Sequence, residues 1–168
     1  MKPSAKMFWL FGIVLPLTIL GCSSNDPCIS AAFNQSASLV GTLPANPLQW
    51  KVISSMIDPA DSTMSTLYGN DAAVGYVRTH SQHDYPAGSQ LSLVTWTQQE
   101  DPRWFGASIP EAVKSVEFVT VGSAQDGRLS YSYWKYEGSP LQKSVDQKSA
   151  TPNERAAYLL SQRAAVMP

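Results

Sequence analysis

Lys2 and Lys6 precede a 14-residue apolar run, Met7 to Leu20, which ends in Ile19-Leu20-Gly21-Cys22. The run is shorter than the roughly 20 apolar residues that a helix needs to cross the hydrocarbon core. A basic start, a short apolar stretch and a small residue at its end have instead the form of an export signal cleaved after Gly21. Residues 1–21 then take no part in the folded domain. Lys2 and Lys6 leave with them, so the formal charge falls by two, from −1 to −3. With 12 Lys plus Arg against 13 Asp plus Glu in the whole chain, nothing here binds nucleic acid by bulk charge.

The remainder must fold. Hydrophobic residues make up 43% of the chain, with 5 Trp, 7 Tyr and 5 Phe, far from a disordered composition. The length suits one domain. Cys22 and Cys28 build neither a disulfide scaffold nor a four-cysteine zinc site, and His80 and His83 are the only histidines. Their i, i+3 spacing is that of a metal pair, yet no carboxylate or cysteine pattern completes a site, and a solvated loop is the plainer reading. His83-Asp84 are chain neighbours that point apart, and no Gly-x-Ser-x-Gly elbow accompanies them.

Residues 22–42 are rich in Ser, Ala and Asn without a sustained period and read as a tether, leaving 43–168 for the domain. Strand composition recurs at Trp50 to Ile57 and Thr63 to Tyr68. Asn70 is placed to cap a helix that runs to about His80 with Ala73, Val74 and Val77 as its apolar stripe. Ser89 to Thr97 alternates cleanly, and Val116 to Val121 and Leu129 to Tyr136 are further strands joined through the Asp126-Gly127 hairpin signal. Thr151-Pro152-Asn153-Glu154 is a capping box that opens a helix from Arg155 to Val166. The expected fold is α+β: an antiparallel sheet of about five strands, with a short helix after the second strand and a C-terminal helix. Ile109 to Lys114 has a charged, helix-like look. Glu111, Lys114 and Glu117 read as a solvated face, and Lys135 as an exposed strand end.

The aromatic set Trp96, Trp104, Phe105, Tyr131, Tyr133, Trp134 and Tyr136 is dense. Trp96, Trp104, Tyr133, Trp134 and, from the last helix, Tyr158 are candidates to line an apolar pocket. The alternative is that they fill a small core or form a dimer face.

The start of the chain resembles the lipobox of bacterial lipoproteins. That resemblance implies diacylglyceryl and palmitate attachment at Cys22 after cleavage at Gly21, with membrane lipid as the partner. Each buried methylene adds about 0.8 kcal/mol, so several chains anchor where one does not. Ser23 in place of Asp implies the outer membrane, facing the periplasm. An ordinary secretory signal, with Cys22 a bystander or a disulfide partner of Cys28, is the alternative.

Leu43-Pro44, Trp50-Lys51-Val52, Leu67-Tyr68 and Tyr85-Pro86-Ala87-Gly88-Ser89 leading into Leu91 to Trp96 resemble the cytochrome P460 domain, which includes the β-type cytochromes c-prime. Trp104-Phe105-Gly106 and Leu129 to Tyr136 follow in the family's order, so the resemblance covers residues 43–168. It implies a dimer and a c-type haem held by Cys-x-x-Cys-His near the C-terminus. These 168 residues contain no such motif. Laid over it, the last helix offers Tyr158, Ser161 and Gln162 where two thiols and an imidazole are needed, followed by Arg163 to Val166. Covalent haem c is excluded on that overlay, and no cofactor is expected. Non-covalent haem, with Tyr158 as phenolate and His80 or His83 opposite, stays open. The stop at Pro168 is expected to mark a shortened member. The resulting expectation is an envelope lipoprotein that binds a small apolar ligand or an envelope partner without catalysis. The alternative is a haem-dependent oxidoreductase or gas binder with hydroxylamine or nitric oxide chemistry.

Overall fold

The computed structural model describes residues 34–80, 84–123, 129–144 and 152–165. Six strands form one antiparallel sheet in chain order: β1 (Lys51–Asp58), β2 (Thr63–Gly69), β3 (Gln90–Glu100), β4 (Ser108–Ser123), β5 (Leu129–Glu137) and β6 (Gln142–Lys143). Helix α1 (Asp71–Thr79) follows β2, and helix α2 (Pro152–Ser161) closes the described chain. The α+β class, the helix after the second strand and the last helix are as the sequence pattern indicates. The two-residue β6 is too short to carry a period and is not anticipated.

The meander is two-sided. On one face Leu67, Leu91, Leu93, Val119 and Val121 pack with Ala73 and Val74 of α1 and with Ala156 and Leu159 of α2. The other face carries Val94, Trp96, Val116 and Phe118. No helix covers it. Ala37, Leu39, Leu43 and Trp50 from the segment before β1, together with Leu141, lie over it instead. The Trp96 Nε1–H donates to the Ala37 carbonyl at 2.9 Å, and the Leu141 N–H donates to the Val40 carbonyl at 2.7 Å. Gly41, with φ of 146°, forms a bridge to Leu141 so close that any side chain there would strike the Leu141 backbone. Residues 34–42, assigned by composition to the tether, therefore include part of the core. Their apolar members are too few and too spaced to show a period, and only the bare sheet face gives them a partner.

β4 is a second correction. Ile109 to Lys114, helix-like by its charges, is strand, because it pairs with Trp96, Gln98 and Gln99 of β3. The register shifts around Trp96 and Gln98 leave Thr97, which pairs with Thr63 of β2, without an opposite residue on β4. Its hydroxyl accepts the Ala112 N–H at 3.1 Å and lies 3.2 Å from the Glu111 carboxylate. A bulge of this kind also accommodates Pro110, which has no N–H to give the ladder. β1 bulges too, between Val52 and Ser54. Ile53 is turned into the helix-side core, 2% exposed, and its carbonyl accepts the Ala165 N–H beyond α2 at 2.7 Å.

The cap at Asn70 is in place. Its Oδ1 accepts the Ala73 N–H at 3.0 Å and the Gln90 N–H at 3.1 Å, while its Nδ2 donates to the Gly88 carbonyl at 2.9 Å. One side chain thus starts α1 and ties it to the start of β3. α1 ends at Thr79 with His80 as its C-cap. α2 ends at Ser161, five residues short of the expected Val166. Thr151 of the capping box and the Asp126-Gly127 turn lie outside the described residues. Asn70→Ala is expected to lower the unfolding free energy by about 2 kcal/mol, since it removes a cap and two further hydrogen bonds. Asn70→Asp, which keeps both acceptors and loses only the donor to Gly88, is expected to lose less in the same denaturant titration.

Candidate functional site

The one charged side chain buried in the described core is Glu117, 3% exposed at the centre of β4. Its place follows from strand alternation: Glu117 sits between Leu93 of β3 and Lys135 of β5, on the same face as Val119 and Val121. Val119 in turn faces Tyr133, so the phenol lies next to the carboxylate along that face. The Tyr133 hydroxyl donates to Glu117 Oε2 at 2.6 Å. The first turn of α2 supplies Arg155, whose Nε donates to Oε2 at 3.0 Å and whose Nη2 donates to Oε1 at 2.6 Å. The fork is bidentate, the strong geometry for this pair.

Chemically the cluster is closed. Burial, and then the hydrogen bond to Glu117, push the Tyr133 phenol above its ordinary pKa. The same carboxylate raises the Arg155 guanidinium above its own. Both donors therefore hold their protons more firmly than usual, which is the opposite of a poised acid. The cluster acts as a clamp that docks α2 on the sheet. Glu117, read from sequence as part of a solvated face, is thus corrected to a buried ion. The signal was present: a lone carboxylate inside Val116-Glu117-Phe118-Val119, apolar on both sides, requires a buried cation and a donor.

The structure does not bring the five pocket candidates together. Trp96 belongs to the face opposite α1 and α2, and Tyr133 to the face that they cover. Trp134 points to the same side as Phe118 but is 43% exposed, with the Lys143 ammonium 3.4 Å from its ring centroid. Trp104, 70% exposed, sits in the β3–β4 turn. Tyr158 lies on α2 with its hydroxyl 3.4 Å from Met56 Sδ and the Arg155 guanidinium 4.9 Å from its ring. Lys135 is 31% exposed and pairs with Glu137 at 2.7 Å.

His80 stacks flat on Tyr76, centroids 4.3 Å apart, and its Nδ1 is 2.8 Å from the Thr79 hydroxyl. Tyr76 also touches Tyr85, centroids 5.5 Å apart. The Tyr85 hydroxyl is buried without a partner among the described residues, and burial pushes its pKa up to about 12. His83, Gly21, Cys22 and Cys28 lie outside the described residues. Among the described residues no group of three or more His, Cys, Asp or Glu is placed to hold a metal ion.

Residues 44–155 match the family model for cytochrome P460. No curated protein matches the chain. The family's haem c needs two thiols and an imidazole on the last helix. Tyr158, Ser161 and Gln162, which the resemblance sets opposite that motif, lie beyond the matched residues and offer a phenol, a hydroxyl and an amide. Ser161 Oγ donates to the Tyr158 carbonyl at 2.8 Å and Gln162 Nε2 donates to the same carbonyl at 3.1 Å, so both cap the helix end. Ala156 and Leu159, each 0% exposed, fill the contact with the sheet.

Arg155→Met strands the Glu117 carboxylate in the core, and a loss of about 3 kcal/mol is expected. The guanidinium side is 34% exposed, which holds the loss toward the lower end for a broken pair. Adding Glu117→Gln to that variant removes the stranded charge while keeping an acceptor for Tyr133, and should restore most of the stability in chemical denaturation.

Proposed function

Because this chain belongs to the cytochrome P460 family, we propose that it is a lipid-anchored envelope lipoprotein whose P460 domain works by binding an envelope partner and not by catalysis. The observation that carries the reading is the donor set of α2. Phenol, hydroxyl and amide at Tyr158, Ser161 and Gln162 form no thioether, and the helix is held instead by Glu117 and Arg155. Anchoring rests on Ile19-Leu20-Gly21-Cys22 after a basic, short apolar start, with the outer membrane favoured by Ser23. The aromatic side chains are spread over both sheet faces and the β3–β4 turn, which favours a surface partner over a single enclosed ligand.

Family membership keeps a second reading in view, a non-covalent haem with redox or gas-binding chemistry. An absorption spectrum of the full chain made with haem available separates the two. No stoichiometric Soret band is expected, together with diacylglyceryl and acyl mass on Cys22. A tightly held band that weakens in Tyr158→Phe or His80→Ala would overturn the binding reading.

A further inference from the structure

Between β3 and β4, residues 101–107 form a turn tied to itself. The Asp101 N–H donates to the Ala107 carbonyl at 2.9 Å and the Ala107 N–H to the Trp104 carbonyl at 3.0 Å. The Asp101 side chain, 8% exposed, accepts the Arg103 N–H at 2.8 Å. Gly106 takes a φ of 78°, in the left-handed region. This turn holds Trp104 and Phe105 out in solvent, 70% and 110% exposed, more than any other large hydrophobic side chain described. A single exposed apolar residue needs no explanation, whereas a Trp-Phe pair on a braced tip does.

The chain enters the domain beside the same hairpin. Asn34 Nδ2 donates to the Pro110 carbonyl, and Pro110 lies opposite Gln98 near the end of the β3–β4 ladder. Phe105 is five residues from Pro110, at most about 18 Å of chain. Cys22 is twelve residues before Asn34, at most about 43 Å of chain. The aromatic tip and the point from which the anchor departs are therefore at one end of the sheet.

We propose that the Trp104-Phe105 turn is a membrane-docking tip, seated in the headgroup region of the bilayer that holds the acylated Cys22. The proposal rests on the lipoprotein reading above. Trp favours the membrane interface, and Arg103, whose side chain is 71% exposed and whose Nε lies 3.5 Å from the Asp101 carboxylate, keeps the rest of its guanidinium toward solvent as a donor for lipid phosphate. Of the neighbouring acids, Asp101 in the turn is 8% exposed and paired with Arg103, while Glu100 opposite Ser108 and Glu111 against Thr97 are set back on the strands. With the lipid already tethering the chain, a weak second contact is enough to fix orientation.

The test uses the full-length acylated protein in phosphatidylethanolamine–phosphatidylglycerol vesicles with brominated acyl chains. Tryptophan fluorescence is compared between wild type and Trp104→Ala, and the mass of the Cys22 peptide is read in parallel. Both side chains are solvent-facing, so Trp104→Ala and Phe105→Ser should keep the wild-type Tm. The expected result is a blue-shifted, bromine-quenched component that is lost in Trp104→Ala while vesicle retention persists. Acyl mass on Cys22 with no Trp104-dependent quenching overturns the docking tip and leaves the anchor standing. Absence of both acyl mass and vesicle retention overturns the anchor and the tip together.

Discussion

Strands β3 and β4 put apolar side chains on both faces of the sheet. Leu91, Leu93, Val119 and Val121 lie on one side, and Val94, Trp96, Val116 and Phe118 on the other. Each face must be kept from water, and a domain of this length has little chain with which to do it. α1 and α2 cover the first face. The second is left to the segment before β1 and to Leu141, joined by the Val40–Leu141 hydrogen bond and by the indole of Trp96 bonding to Ala37. The packing of residues 34–50, the close approach at Gly41 and the entry of the chain at Asn34 all follow from that second face.

The helix side is organised around charge as well as burial. Glu117 sits where strand alternation leaves it, in the core, and Arg155 and Tyr133 satisfy it. This fixes the rotation of α2: Ala156 and Leu159 turn inward, while Tyr158 turns out to 40% exposure. In the cytochrome P460 family the last helix is the one that resemblance assigns to haem. Here its inward side is apolar and its first turn carries the arginine of the ion clamp. The partner binding proposed above would use the surface, where the exposed aromatic side chains are.

What the sequence made legible was local. Asn70 as a cap, the Ala73-Val74-Val77 stripe and the alternation through Leu91 to Trp96 are each set by side chains within a turn or a strand of one another, and each is where the pattern indicates. The misreadings share one cause, dependence on distant partners. Ile109 to Lys114 is strand because Trp96, Gln98 and Gln99 pair with it, and residues 34–42 pack because a sheet face built from residues more than 50 positions away is bare. Glu117 was misread because its charge was weighed without its neighbours on both sides. The aromatic set was recognised as dense, but alternation divides it between faces, which adjacency in sequence conceals.

The dependence of the domain on its second cover can be measured directly by comparing denaturant unfolding of chains beginning at Asn34 and at Leu43. Loss of residues 34–42 removes Ala37 and Leu39 from the core and the acceptor of the Trp96 indole, and a drop of about 3 kcal/mol is predicted, with Trp96 emission shifted toward that of a solvated indole. Equal stability and unchanged emission in the two chains would contradict the account.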